Sequence, residues 1–141
     1  MQKALLDFSI YVSALRRADT AVTIERFAAE TDLWLSAVVL EELYAGARDP
    51  DRGILEEWER DFGRAGRVVV PNLNDWVGAG KILRGVAQKY DYEKIGRGRL
   101  TNDALIATSA ARLGIQVITA NAADFKKLAE FTTFSWQAAV I

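Results

Sequence analysis

Residues 100–125 read LTNDALIATSAARLGIQVITANAADF, and the order of signals in this stretch decides the fold. Thr101 or Asn102 can cap a helix start, and Leu105, Ile106, Ser109, Ala110 and Leu113 recur at helical spacing. Gly114 falls where a left-handed residue closes a helix, and residues 115–118 are rich in β-branched apolar side chains, which predicts a strand. Asp103 breaks the pattern. Ile106, Ala107 and Ala110 lie three, four and seven residues on, so this carboxylate shares the face turned to the core.

The same alternation extends outward in both directions. Residues 3–6 predict a short strand that ends in Asp7, and residues 9–16 a short helix. Residues 20–30 predict a helix with Ile24, Phe27 and Ala28 on one face, and residues 33–35 a second strand. Ser36 is placed to cap a helix carrying Val39, Leu40, Leu43 and Ala47, with Gly46 and Pro50 as terminators. Ile54, Leu55, Trp58 and Phe62 mark a further helix, broken by Gly63 and Gly66 before a third strand at residues 67–70. Asn74 or Asp75 can cap a longer helix whose expected buried stripe is Trp76, Gly80, Leu83 and Ala87. Its glycines, Gly78, Gly80 and Gly85, lower helix propensity and imply close packing against a neighbour. Residues 90–99, YDYEKIGRGR, read as a polar loop, and residues 131–136 as a last β-rich segment. Helices alternating with strands predict a three-layer α/β/α domain with a mostly parallel central sheet, spanning residues 1–141 as a single unit.

Composition narrows the chemistry. The 141 residues contain no cysteine and no histidine, which excludes thiol nucleophiles, Ser-His-Asp triads and every His- or Cys-ligated metal. A metal in this chain must be held by oxygen, which favours magnesium or manganese. The formal charge of −1 rules out a broadly basic surface, so nucleic acid could be held only through local patches. No apolar run is long enough for a membrane span, and the start, MQKALLDFSIYV, lacks the pattern of a signal peptide, so a cytoplasmic location is expected. The four tryptophans, Trp34, Trp58, Trp76 and Trp136, fall on apolar stripes or strands and are expected in the core.

Acidic residues stand at the element boundaries. Asp7 ends the first strand, Asp103 and a glutamate near residue 42 lie at helix starts, and Asp124 follows the strand that runs to Thr119. In parallel sheets, ligands gather beyond the carboxyl ends of the strands, where these residues could converge. Carboxylates in one cleft repel each other, and a divalent cation cancels the repulsion, acidifies a bound water and withdraws charge from a phosphate. Structural roles compete with this reading. Asp7 could close a turn, Glu41 or Glu42 could be an exposed helix residue, and Asp103 could meet helix amides. Residues 121–124 resemble a capping box with Asp in place of Glu or Gln, so Asn121 and Asp124 could serve only the helix start.

Three blocks taken together, LLDFSIYV, SAVVLEELYAGA and NDALIATSAARLGIQVITANAADF, resemble the PIN domain, and most of all the VapC-type toxins of toxin–antitoxin pairs. The resemblance covers nearly the whole chain. It implies a compact α/β/α nuclease that uses acidic residues to hold Mg2+, or Mn2+, and to cut RNA through a metal-activated water. By position it implies Asp7, Glu42, Asp103 and Asp124 as the catalytic, metal-holding set. Glu42 is picked by the frame it shares with Leu43 and Gly46, and Asp124 by the frame Thr119, Asn121, Asp124, Phe125. Ser9, Thr119 and Asn121 are implied as support. Lys94, Arg97 and Arg99 could bring phosphate to the site, with Arg48 and Arg52 as further candidates. One departure is visible. The family usually has a small hydroxyl residue directly after the first aspartate, where this chain has Phe8, with Ser9 next.

The resemblance further implies 5′-phosphate and 3′-hydroxyl products, a homodimer, and a small antitoxin that blocks the cleft with an arginine-bearing segment. The alternative is a catalytically inactive PIN-like module that binds RNA or protein. Other motifs fail. Gly96-Arg97-Gly98 lacks the third glycine of a dinucleotide fingerprint, there is no GxxxxGK[ST] loop, and a haloacid-dehalogenase-like phosphatase would need an aspartate where Ser9 stands.

Overall fold

In the computed structural model, which describes residues 1–91 and 97–139, β1 (Lys3–Leu6) is the middle strand of a five-stranded sheet. Ala4, Leu5 and Leu6 are each fully buried, as a parallel strand covered on both faces must be. The chain runs β1, α1 (Phe8–Arg16), α2 (Thr20–Glu30), β2 (Asp32–Ser36), α3 (Ala37–Ala45) and α4 (Arg52–Arg64), with a 3-10 turn at Asp49–Asp51. It continues through β3 (Val68–Val69), α5 (Leu73–Lys89), α6 (Arg97–Leu113), β4 (Gln116–Thr119), α7 (Ala122–Ala129) and β5 (Trp136–Ala138).

The sheet order is β3-β2-β1-β4-β5, and all four pairings are parallel. Leu5, for example, sits in register with Trp34 on one side and Val117 on the other. Helices cover both faces, which is the expected three-layer arrangement. From β1 the chain builds outward through β2 to β3, then returns to lay β4 on the other side of β1. The order therefore reverses between β1 and β4, and the crevice beyond their carboxyl ends is where such sheets bind ligands. Burying Leu5, Leu6 and Leu35 contributes about 1.5–3 kcal/mol each to holding that edge in place.

Local signals placed most elements. Ser36 caps α3 as expected, accepting from the amides of Val38 (3.2 Å) and Val39 (3.5 Å). Gly114 closes α6 at φ +67, and Ile115 follows it into the core. Several expectations need correction. The cap of α5 is Asn72, not Asn74 or Asp75. Its side chain accepts from the Asp75 amide while Asp75 accepts from the Asn72 amide, each at 2.9 Å. The buried stripe of α5 is accordingly Ala79, Ile82, Leu83 and Val86, with Asp75 buried at its head, where Arg112 meets it at 2.9 Å. Trp76 and Gly80 face solvent, and Trp76 is 55% exposed beside exposed Leu73 and Val77, so it is no core tryptophan. The other three are half-buried against the core.

Gly63 lies inside α4 and Gly66, at φ +68, turns the chain after it. The third strand is only Val68–Val69, the last strand is Trp136–Ala138, and α6 begins at Arg97, so Thr101 and Asn102 lie within the helix and not at its start. Among the described residues no helix is long and apolar enough to cross a membrane.

The glycines of α5 differ in what surrounds them. A Cβ on Gly85 would stand 2.6 Å from the Phe131 ring, one on Gly78 would just touch Thr108 at 3.4 Å, and one on Gly80 would meet nothing within 4 Å. Two substitutions in the same helix are therefore expected to have opposite signs. Gly80→Ala gains about 0.8–1 kcal/mol from helix propensity. Gly85→Ala loses about 1–3 kcal/mol through overpacking. Urea denaturation of the two variants measures both.

Candidate active site

Asp7 occupies the carboxyl end of β1, where its amide continues the sheet by donating to the Ile118 carbonyl at 3.0 Å. It is also the N-cap of α1, so strand and helix fix its backbone from both sides. Its side chain is buried yet lines the crevice. Oδ1 accepts from the Ser9 amide at 3.1 Å and, in a short contact, from the Ser9 hydroxyl. Oδ2 accepts from the Thr119 hydroxyl at 2.6 Å. Each hydroxyl is itself oriented by a backbone donor. The Ala120 amide donates to Ser9 Oγ at 3.0 Å, and the Asn121 amide donates to Thr119 Oγ1 at 2.9 Å. Burial raises the Asp7 carboxyl above its ordinary range, and the bonds from Ser9 and Thr119 pull it back down.

Glu42 comes from α3 and reaches the same crevice. Burial is the main force pushing its carboxyl up to about 7. A hydrogen bond from Asn102 opposes that shift, and the charges of Glu41 and Asp7 add to it. Its Oε1 is buried without a hydrogen-bond partner among the described residues. Asp103 is half-buried on α6 and lines the crevice as well, in the interior of the helix instead of its first turn. The crevice has a volume of about 660 Å3 and is lined by Asp7, Glu42, Asp103, Asn121, Ser9 and Ser13, with Phe8, Val12, Arg16 and Arg17 along α1.

Asp124 stands one step back. It is buried at the third position of α7 and does not line the crevice. The capping box expected at residues 121–124 does not form. Asn121 makes no side-chain cap, and its amide goes to Thr119. Its side-chain Nδ2 donates to Asp124 Oδ2 at 3.1 Å. Asp124 thus holds Asn121 at the rim of the crevice, a role its position in sequence does not reveal.

Of the cationic candidates, Lys94 lies outside the described residues. Arg97 and Arg99 fall in the first turn of α6 and not in a loop, and their side chains lie outside the described ones. Arg48 is engaged by Asp51 at 2.8 Å. Three contributors escaped the sequence reading. Asn102 holds Glu42, and Arg16 and Arg17 reach the crevice from the last turn of α1. Helical spacing from Ser9 through Ser13 to Arg16 and Arg17 could have placed the arginines.

The residues fit a hard divalent cation. The donors are all oxygen, two carboxyls are pushed upward in pKa, and Glu42 keeps a buried oxygen with no hydrogen-bond partner among the described residues. Among the described residues no three carboxylates are already drawn together as a metal cage.

A family model, the PIN domain, matches residues 4–131. VapBC2 from Rickettsia felis, solved bound to a DNA fragment from its promoter, is similar at TM-score 0.68 and 18% identity, over 99% of this chain and 100% of that one. DNA-bound VapBC from Salmonella typhimurium is similar at TM-score 0.61 and 20% identity, over 98% of each chain. VapBC-1 from nontypeable Haemophilus influenzae gives 0.62 and 20%, over 97% of this chain and 98% of that one. At such identities the likeness is one of fold. No curated protein matches in sequence.

The Glu42 shift has a thermodynamic consequence. Folded protein holds this proton more tightly than the unfolded chain, so its stabilising effect is complete below about pH 4.5 and is lost as pH rises through about 7. The metal-free protein is expected to lose melting temperature across that window, and Glu42→Gln to flatten the loss. Thermal melts from pH 4.5 to 8 with a chelator present make the comparison. Equal slopes for the two proteins would show that Glu42 does not carry the shift.

Proposed function

The chain belongs to the PIN domain family, and on that premise we propose that it is a divalent-metal-dependent endoribonuclease, the toxin member of a VapBC-type toxin–antitoxin pair. The observation that carries this reading is the crevice at the β1/β4 reversal, which Asp7, Glu42 and Asp103 all line and where Glu42 Oε1 is buried without a hydrogen-bond partner among the described residues. Residues 1–141 then make up one nuclease domain.

Asp7, Glu42 and Asp103 would hold Mg2+ or Mn2+, with Asp124 acting through Asn121. When bound, the cation supplies charge neutralisation, a more acidic water and a polarised phosphate. The chain's own residues supply the rest. Ser9 and Thr119 fix Asp7 in direction and oppose the upward pressure of burial on its carboxyl, because each hydroxyl proton is committed to the carboxylate while a backbone amide occupies its oxygen. Asn102 restrains Glu42 from the neighbouring helix. Substrate is RNA, whose phosphates need local cations in a chain of net charge −1, and Arg16 and Arg17 at the crevice meet that need. Similarity in fold to proteins solved as VapBC supports a cognate antitoxin as partner, and the proposed assembly is a homodimer acting in the cytoplasm.

Purified protein incubated with structured RNAs tests the reading. Cleavage is expected with Mg2+ or Mn2+, to stop with chelator, and to leave 5′-phosphate ends. Asp7→Asn and Asp103→Asn are expected to fall on the order of 100-fold or more in rate. Variants that cut as fast as wild type would overturn the site assignment. Tight, metal-independent RNA binding without cleavage would mean a binding module instead.

A further inference from the structure

The crevice does not end at the carboxylates. A second cavity of about 270 Å3 adjoins it along α1, and the two share Phe8, Val12 and Arg16 as walls. These residues recur every fourth position, so they form one continuous face of the helix. The second cavity differs in chemistry from the first. Leu15, Leu43 and Ala47 line it beside Phe8 and Val12, and among the described residues its charges besides Arg16 are Arg48 and Asp51, which pair with each other at 2.8 Å. It is an apolar slot with a neutralised far end. Phe8 packs one side against the core and borders both spaces with the rest.

Arg16 stands at the junction. It is exposed, and among the described residues it has no hydrogen bond or ion pair, whereas neighbouring Arg17 approaches Asp19 at 3.6 Å. Two helical turns, about 10 Å of rise, separate it from Ser9 at the carboxylate end. That distance suits a phosphate beside the scissile one and not the scissile phosphate itself. An aromatic wall, an apolar slot and one unpaired guanidinium make the combination by which single strands are held, with stacking on the base and charge on the backbone.

We propose that this second cavity receives a nucleobase of single-stranded RNA next to the cut, with Phe8 against the base and Arg16 on the intervening phosphate. Phe8 and Arg16 are positioning residues for the substrate. The inference rests on the nuclease reading, and it adds a requirement that the segment flanking the cut be unpaired.

Fluorescence anisotropy with a short labelled RNA spanning the cleavage site tests it, in an Asp103→Asn background that leaves the RNA intact. A single abasic nucleotide is moved through the positions around the cut. One position adjacent to the cut is expected to weaken binding about tenfold or more. Phe8→Leu, which keeps an apolar side chain but no ring face, is expected to remove that position's effect. Arg16→Gln is expected to reduce the dependence of log K on log salt by about 0.7, one phosphate's worth. Arg84→Gln, an exposed arginine lining neither cavity, should leave both readouts unchanged. No position-specific abasic effect, an unaltered one in Phe8→Leu, or an unchanged salt slope in Arg16→Gln overturns the inference while leaving cleavage by wild type intact. If wild type cuts no RNA, the nuclease reading falls by itself, and the same abasic and salt signatures, scanned along the whole RNA, still decide whether the groove is an RNA track. Absence of RNA binding overturns both.

Discussion

The site depends on how one buried carboxylate is held where burial opposes charge. Asp7 sits at the end of the central strand with the sheet on both sides, and desolvation drives its carboxyl toward the neutral form. Two hydroxyls counter that pressure, one on each oxygen, and each is polarised by an amide of the segment directly after β4. Hydrogen bonds to a charged group contribute roughly twice what neutral ones do. The same four bonds also lock α1 to the β4–α7 turn. The support of the buried carboxylate and the backbone geometry at the reversal of the sheet are therefore one interaction.

Glu42 is handled differently, and the contrast divides the labour of the crevice. Asn102 restrains it, but one carboxylate oxygen is left buried and unmatched, and its carboxyl rises to about 7. An unsatisfied buried acceptor is a standing penalty of about 1–3 kcal/mol that packing elsewhere must absorb. Asp7 is pre-set by the protein, whereas Glu42 is left short of a partner. Buried groups under such tension cluster at functional sites.

The sequence revealed those features whose cause is local. Asp7 at a strand end, the Ser36 cap and the Gly114 stop are each read from a residue and its immediate neighbours, and the structure has them where expected. Strand-helix alternation was enough for the layered parallel fold. What failed depended on which of several similar neighbours wins. Asn72, Asn74 and Asp75 can all cap a helix, and the choice of Asn72 turns on a reciprocal bond with Asp75 that also displaces the buried stripe and turns Trp76 outward. At residues 121–124 the capping pattern is present, but Thr119 takes the Asn121 amide first because its own hydroxyl is held by Asp7 across the sheet. That competitor is distant in sequence, so no local pattern could rank it. Asn102 is a like case, since its partner Glu42 lies on another helix.

The departure at Phe8 follows from the same geometry. A residue two places after a helix N-cap presents its amide to the capping carboxylate, and in α1 that residue is Ser9, whose amide and hydroxyl both reach Asp7 Oδ1. A hydroxyl at position 9 thus supplies the bond that one at position 8 would be expected to make, and it can still accept from Ala120 across the turn. Position 8 is released from holding the aspartate. It points along α1 with Val12 and Arg16, where an aromatic side chain borders both cavities at no cost to the Asp7 network. The substitution that looks like a lost support is compensated one residue on, and what it leaves behind is a ring at the mouth of the site.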